Sequence, residues 1–183
     1  PAHTLYLRNN KIEINRYWNL PKNSDSIDLD NAIEKFKELF DNAISNQLIA
    51  DVSVGAFLSG GLDSSTIVAA ASKYNHGLKT FSFDFINNSK DKKYARIVSK
   101  MYETNHTELS DKDISIEKLI FKMQDIYDEP FADSSSIPTY LLSNLASKHI
   151  KVILTGDGGD ELFGGYPYWY NNLLFMDRCR KKS

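Results

Sequence analysis

The sequence has one cysteine, no long apolar run and almost no excess charge of either sign. Cys179 has no partner thiol, which excludes an internal disulfide and a zinc site built on several thiolates. No apolar run reaches the roughly eighteen residues of a membrane span, and residues 1–8 do not resemble a signal peptide. The 22 basic residues are balanced by 24 acidic ones, unlike the basic excess of a nucleic-acid or membrane-surface binder. We therefore expect a cytoplasmic protein with a small-molecule partner and with neither a nucleic-acid nor a membrane partner.

The first twenty residues predict a β-hairpin. In "TLYLRNNKIEINRYW" apolar and polar residues alternate on both sides of Asn9 and Asn10, two residues that tolerate the left-handed backbone of a tight turn. Residues 20–26 are rich in Pro, Asn and Ser and are typical of a linker. The 183 residues otherwise suit a single domain.

The rest of the chain predicts an α/β fold with a parallel sheet. Apolar residues recur at helical spacing over residues 29–49. Short apolar runs at 54–58, 79–85, 104–109 and 151–155 then alternate with helical patterns at 62–74, 91–102, 114–127 and about 138–149. Strands separated by helices favour right-handed crossovers onto a parallel sheet. Ser136 is positioned to cap the last of these helices, and Pro138 suits its first turn.

The loop after the first of these strands has the composition of a phosphate-binding loop. In "VGAFLSGGLDSSTIVAAAS", Gly60 and Gly61 let the backbone approach an anion, and Ser59, Ser64 and Ser65 add hydroxyl donors. Amide groups at the start of the following helix favour the same ligand. The Walker spacing is absent, since no Lys follows the glycines.

An acid in this loop predicts a metal. A carboxylate at Asp63 would repel a polyphosphate by about 4 kcal/mol at about 4 Å and an effective dielectric constant near 20. Mg²⁺ reverses that sign when it binds carboxylates and phosphate oxygens together. The second glycine loop, in "KVILTGDGGDELFGGY", follows another strand and supplies Asp157, Asp160 and Glu161. Ligands of parallel sheets bind at the carboxyl edge, so the two loops predict one site for a nucleotide and its metal. Taken singly, the first loop is equally consistent with a tight turn in which Asp63 caps the helix, and the second loop is equally consistent with a solvated acidic segment.

These motifs resemble a known family. "SGGLDSS" resembles the pyrophosphate-binding signature of the N-type ATP pyrophosphatases, and together with "LTGDGGDELFGGY" it resembles the synthetase domain of the asparagine synthetase family. "TFSFDF", "YARIVSK", "HTEL" and "DEPFADSSSIPTYLLS" fit as well, so the resemblance covers about residues 17–170. It implies an adenine nucleotide α-hydrolase-like fold with strand order 3-2-1-4. It also implies that residues 1–20 are the remnant of an upstream glutaminase-type domain and that residues 21–183 are the N-terminal part of the synthetase domain.

The resemblance also implies a reaction and a set of site residues. The carboxylate of aspartate attacks the α-phosphorus of ATP to give an acyl-adenylate and pyrophosphate, and ammonia then displaces AMP. The β- and γ-phosphates would be held by Ser59, Gly60, Gly61, Ser64 and Ser65. Adenine would be flanked by Leu58, Phe83 and Gly156, and Mg²⁺ would be ligated by Asp63 and Asp160. Asp157 would be the catalytic base for ammonia, although relatives often have the longer Glu there.

Departures from the family pattern leave the acceptor open. Asp84 stands where many relatives have Gly, and Ser134 stands where well-understood asparagine synthetases have an Arg. The family's N-terminal Cys, which releases ammonia from glutamine, and its distal Lys are not in this sequence, so ammonia would come from a glutaminase domain outside it. We expect a fragment that binds Mg-ATP weakly and is inactive alone. The alternatives are another ATP pyrophosphatase amidotransferase, β-lactam-forming or glycan-modifying, and a non-catalytic nucleotide-binding module.

Two further features are interpreted as structural. The aromatic run at residues 166–170 is predicted to form a packing cluster, and any part of it left exposed would favour self-association, which keeps a homo-oligomer open. Glu161 is either an acid that supports the ligand-binding residues from behind or a surface residue. The four histidines are scattered over different predicted elements, and His106 is predicted to end the third strand.

Overall fold

The chain divides into two compact units, Pro1–Leu39 and Phe40–Ser183. The structure is a computed structural model that describes residues 1–20, 26–83, 89–110, 115–129, 131, 133 and 135–181. Asp84 and Ser134, the two departures from the family pattern, lie outside the described residues, as does the end of the strand predicted over 79–85.

The first unit contains the predicted hairpin. Strands β1 (His3–Arg8) and β2 (Lys11–Arg16) pair antiparallel, with Arg8 opposite Lys11. Asn9 and Asn10 have φ angles of 51° and 57°, the left-handed conformation that a two-residue turn requires. Helix α1 (Leu29–Gln47) starts after Asp28, whose carboxylate accepts a hydrogen bond of 3.0 Å from the backbone N–H of Asn31. The hairpin prediction is confirmed.

The second unit is built on a four-stranded parallel sheet. Its strands are β3 (Val54–Phe57), β4 (Lys79–Phe83), β5 (Asn105–Leu109) and β6 (Val152–Leu154), in the order β5-β4-β3-β6. All three pairings are parallel, and Ala56 of β3 aligns with Thr80 of β4 and Leu154 of β6. Counted along the chain within this sheet, the order is 3-2-1-4, as predicted. The loops after β3 and β6 therefore leave the same edge from neighbouring strands.

Helices cover both faces of this sheet. They are α2 (Leu62–Ala71), α3 (Ser89–Met101), α4 (Ile116–Tyr127) and α5 (Ser136–Ala146). On one face, the buried side chains of β3, α2 and β6 form a core that includes Ala56, Leu58, Val68 and Leu154. A second buried group, which includes Phe81 and Ala146, packs between β4 and α5. Because neighbouring strand residues point to opposite faces, β3 contributes Ala56 to the first core and Phe57 to the second.

The start of α5 differs from the prediction by one residue. Ser136 is the first residue of the helix and is buried, so it is not the cap. The residue before the helix is Ser135, whose N–H and hydroxyl both donate to the carboxylate of Asp133, at 2.7 and 2.6 Å. A charged carboxylate is a stronger acceptor than a hydroxyl, which is why the turn forms around Asp133.

Two helices near the end of the described chain were not predicted. Helix α6 (Gly159–Phe163) is short, and α7 (Pro167–Arg180) contains most of the aromatic run that was interpreted as a packing cluster. That interpretation is wrong, since Tyr168 is 70% exposed and Trp169 is 64% exposed. The apolar residues of α7 include the consecutive run 173–176, which surrounds the helix and leaves no single stripe to bury. Within the part of the chain that the structure describes, no helix combines the length and the apolarity needed to cross a membrane.

A polar cluster lies between β4 and β5. His106 is the second residue of β5 and does not end it. Its Nδ1 lies 2.9 Å from the hydroxyl of Thr80, and its Nε2 lies 3.1 Å from the hydroxyl of Ser82. Burial lowers the pKa of His106; the negative charge of Glu108 acts against this shift and the positive charge of Arg96 adds to it. His106 is therefore neutral in the folded protein over a range of pH in which it is protonated in the unfolded chain.

We predict that His106 makes stability depend on pH. A lowered pKa in the fold means that the unfolded chain binds more protons below pH 6.5, so the free energy of unfolding falls as the pH drops from that value. Replacing His106 with Gln removes this slope and costs about 1–2 kcal/mol at pH 8, because buried hydroxyl groups lose a partner. Urea unfolding between pH 5 and pH 8 measures both effects. His76→Gln, at an exposed turn position, is the control, and an equal loss of slope in that variant would contradict the assignment.

Candidate functional site

The loop after β3 places the start of α2 at the edge of the sheet. Leu58 continues the line of the strand, because its backbone N–H donates to the carbonyl of Phe81 at 2.8 Å and its side chain is fully buried. The chain then turns at Gly60, where φ is 85° and a side chain would be strained. Gly61 precedes the helix. The backbone N–H groups of the first helical turn have no partners within the helix, so this end of α2 favours an anion.

The hydroxyl of Ser64 holds the loop in shape. Ser64 is buried, and its Oγ lies 2.9 Å from the Oγ of Ser59. The same oxygen accepts from the N–H of Ser59 at 3.3 Å and donates to the carbonyl of Gly61 at 3.3 Å. In turn, the N–H of Gly61 donates to the Oγ of Ser59 at 3.2 Å. The loop therefore has its shape before any ligand arrives.

The loop after β6 meets the loop after β3 at Asp63. A β-carbon placed on Gly159 would lie 2.7 Å from Cγ of Asp63 and 2.8 Å from its Oδ2, closer than such atoms approach each other. A β-carbon on Gly156 would lie 3.0 Å from Cβ of Asp63 and 3.2 Å from the backbone nitrogen of Ser64. The carboxylate of Asp63 thus lies directly against the backbone of the second glycine loop. The two loops form one site because these two positions carry no side chain.

The acids of the second loop have different surroundings. The carboxylate of Asp157 accepts a hydrogen bond of 2.9 Å from the hydroxyl of Thr155. The carboxylate of Asp160 lies against the backbone of Gly165, where there is no room for a β-carbon. Glu161 is exposed and accepts a hydrogen bond of 2.9 Å from the hydroxyl of Tyr166, which raises the pKa of that hydroxyl. Of the two readings of Glu161, the structure supports the surface residue.

A cleft of about 480 Å³ opens between these loops. Nine of the predicted site residues line it: Leu58, Ser59, Gly61, Asp63, Ser64, Phe83, Gly156, Asp157 and Asp160. Gly60 and Ser65 are not among its lining residues; Gly60 shapes the turn, and the N–H of Ser65 donates to the carbonyl of Gly61 at 3.1 Å. The structure therefore brings together residues that are about a hundred positions apart in the chain, at the sheet edge where ligands of parallel sheets bind.

The cleft also has lining residues that sequence reasoning missed. Lys92 of α3 and the hydroxyl-bearing Thr139 and Ser143 of α5 reach it, and Phe57, Phe81 and Leu142 supply an apolar wall. Thr139 and Ser143 are spaced to share one face of a helix, a signal that was present but not distinctive. Lys92 lies in the charged run "KDKK", in which no local feature separates it from its neighbours.

The donor atoms of the cleft suit a hard cation. Among the described residues, no group of three or more His, Cys, Asp or Glu side chains could hold a metal ion. Mg²⁺ needs only one or two carboxylates when water and phosphate oxygens complete its shell. Asp63 and Asp160, the predicted metal ligands, both line the cleft.

Comparison with known proteins identifies the class. The fold and the site define an α/β protein with a cleft at the carboxyl edge of a parallel sheet, formed by two glycine-rich loops that carry acids. The sequence model of the asparagine synthase family matches residues 35–182, and the chain belongs to this family. The recognition made from the sequence is confirmed.

Individual relatives support the same family assignment. The chain is 43% identical to a candidate glutamine-hydrolysing asparagine synthetase of Methanocaldococcus jannaschii, over 93% of this chain and 34% of that protein. It is 35% identical to the glutamine-hydrolysing asparagine synthetase 1 of Bacillus subtilis, over 79% of this chain and 23% of that protein. The chain thus spans about a third or less of these relatives' lengths. Among solved structures, the NH3-dependent NAD synthetase of Campylobacter jejuni matches 73% of this chain and 60% of that one, with a TM-score of 0.48 and 16% identity.

Proposed function

We propose that the cleft of this chain binds ATP with Mg²⁺ and activates a carboxylate for amidation. In the first step a carboxylate oxygen attacks the α-phosphorus of ATP, forming an acyl-adenylate and releasing pyrophosphate. In the second step ammonia attacks the acyl carbon, giving an amide and AMP. The observation that carries the proposal is the contact of Asp63 with Gly156 and Gly159, since it joins a phosphate-binding loop to an acidic loop in one cleft.

The cleft has an apolar part and a polar part that suit the two ends of ATP. Leu58, Phe83 and Gly156 flank the adenine, beside the apolar wall. The β- and γ-phosphates lie against Ser59, Gly61 and the first turn of α2, in a loop shaped by Gly60 and Ser64 and followed by Ser65. Preorganised donors of this kind stabilise developing charge without rearranging.

The acids of the cleft have separate roles in this proposal. Asp63 and Asp160 ligate Mg²⁺, which would offset the repulsion between these carboxylates and the phosphates. Asp157 takes a proton from the incoming ammonia; Thr155 orients its carboxylate by the hydrogen bond to Oδ2. The substrates are therefore ATP, a small carboxylate and ammonia.

Aspartate is the proposed acceptor, and a glutaminase domain outside this chain is the proposed source of ammonia. Both proposals are supported by family membership and by relatives that are named glutamine-hydrolysing asparagine synthetases. The assignment of residues 1–20 to such a domain stays a prediction. The cytoplasmic location, the self-association and the inactivity of the given chain on its own also stay predictions.

Titration calorimetry with ATP, with and without Mg²⁺, tests the binding step. We expect this chain to bind ATP only weakly, more tightly with Mg²⁺ than without it, and to bind GTP less well. If this chain bound ATP neither with nor without Mg²⁺, the proposal would be refuted for this chain.

The chemistry is tested by the products. Protein from the complete gene, given ATP, Mg²⁺, ammonium ion and a panel of carboxylic acids, is expected to release AMP and pyrophosphate in equal amounts with aspartate. Turnover with another acid instead would favour the β-lactam-forming or glycan-modifying amidotransferases. Absence of AMP with every acid would favour the non-catalytic nucleotide-binding module.

A further inference from the structure

Lys92 brings a positive charge to an otherwise acidic cleft. Among the described lining residues, the charged ones are Asp63, Asp157, Asp160 and Lys92. Lys92 lies on α3 and lines the cleft, as do Ser82 and Phe83 at the end of β4. A ligand with several negative charges would therefore meet repulsion from the acidic loops and attraction from this single ammonium group.

The ammonium group of Lys92 is held in place by a charged cluster. Its Nζ lies 3.1 Å from Oε2 of Glu108. Arg96, one helical turn further along α3, donates from Nη2 to the same oxygen at 2.9 Å and from Nε to Oε1. Glu108 stands opposite Ser82 in the pairing of β4 with β5, so the sheet fixes its position at the cleft. The hydrogen bonds from Arg96 are the main cause of the lowered pKa of Glu108, which keeps it ionised at neutral pH.

Lys92 and Arg96 share the carboxylate of Glu108. Arg96 engages both of its oxygens, and the Nζ of Lys92 lies against Oε2. The side chain of Lys92 is 28% exposed, so its charge has lost part of its hydration. A partly desolvated cation is stabilised by a bound anion more than a fully hydrated one is.

We infer that Lys92, positioned by Glu108, is a binding residue for phosphate oxygens of the nucleotide. This inference rests on the proposed function and adds a residue to it from the wall of the cleft formed by β4 and α3. Lys92 reduces the repulsion between the triphosphate and the acidic loops, and it does so without a metal. Its contribution should therefore persist when Mg²⁺ is removed, unlike that of Asp63.

The test compares Lys92→Met with Lys93→Met. Lys93 is the next residue of the same helix and is exposed. It borders a separate groove formed by residues of α3 and does not line the cleft. Both substitutions remove one charge. We expect Lys92→Met to weaken ATP binding about tenfold, with and without Mg²⁺, and to leave the binding of adenosine within twofold. Lys93→Met should change neither affinity, and Lys92→Arg should restore most of the loss. Titrations followed by NMR measure affinities as weak as that of adenosine, and a melting curve checks the fold of each variant.

The other outcomes overturn the inference in distinguishable ways. Unchanged ATP affinity in a folded Lys92→Met protein, or an equal loss of ATP and adenosine affinity, would exclude a phosphate contact and leave the proposed function standing. An equal loss of ATP affinity in Lys93→Met would show that the effect comes from the overall charge of α3 and not from a contact of Lys92 with phosphate. A wild-type protein that binds no ATP would remove the proposed function and this inference with it.

Discussion

Replacing Asp63 with Asn is expected to have opposite effects on ATP binding in the presence and in the absence of Mg²⁺. In the presence of Mg²⁺ the variant should bind ATP at least thirtyfold more weakly than the wild type, a difference of about 2 kcal/mol. In the presence of EDTA it should bind ATP several-fold more tightly. The reason is that the carboxylate attracts the nucleotide through a shared cation and repels it when that cation is absent, by up to about 4 kcal/mol at about 4 Å and a dielectric constant near 20.

Calorimetry in the two buffers measures this change of sign. Asp51→Asn is the matched control, because Asp51 is exposed and lies before β3, outside the lining of the cleft. It should leave both affinities unchanged. Asn keeps the shape of Asp, so a folding defect is not expected, and a melting curve checks this. If Asp63→Asn kept the full Mg²⁺ dependence of the wild type, the metal assignment of Asp63 would be wrong.

Replacing Gly159 with Ala is expected to damage the site without damaging the fold. The new β-carbon would lie 2.7 Å from Cγ of Asp63, so the carboxylate or the second loop has to move. Gly159 is the first residue of α6, does not have a positive φ, and stands where Ala favours a helix over Gly. We therefore expect Mg-ATP affinity to fall about tenfold or more while the free energy of unfolding changes by less than about 1 kcal/mol.

Its neighbour Gly158 provides a control with the opposite expectation. Gly158 has a φ of 91°, and a β-carbon there would meet no atom within 4 Å. Gly158→Ala should cost about 1–2 kcal/mol of stability through backbone strain and should affect Mg-ATP affinity less than Gly159→Ala does. In a protein that already carries Asp63→Asn, Gly159→Ala should cost little further affinity, because the group that it displaces no longer binds the metal. Equal losses for the two glycine variants, or full additivity with Asp63→Asn, would contradict the assigned contact.

Local patterns were sufficient for most of the fold. The Asn9-Asn10 turn and the strands that begin near 54, 79, 105 and 152 follow from turn chemistry and periodicity, whereas the order of the strands in the sheet was implied by the family resemblance. The ends of elements were less predictable, as at Ser136, where a carboxylate three residues earlier shapes the turn. Helix α7 was missed because its apolar residues lie all around it and give no helical stripe.

In the candidate site, too, some residues were predictable from the sequence and others were not. Ser59, Gly61 and Asp63 were predictable because glycine, hydroxyl and acid follow a strand directly, and the second acidic loop was predictable for the same reason. Lys92 was not, since its place in the cleft depends on Glu108 and Arg96, which lie on β5 and α3. No pattern within "KDKK" distinguishes the lysine that faces a cleft from the one that faces solvent.

By itself, the sequence determined the alternation of strands and helices, the family, and the two loops that carry the chemistry, because each of these depends on neighbours along the chain. Only the tertiary structure decided that Asp63 lies against Gly156 and Gly159, that Ser64 holds the first loop, and that Lys92 lines the same cleft as the acids. These contacts join residues that are distant in the chain. They depend on strand register and on how closely backbones approach, which no local pattern of residues encodes.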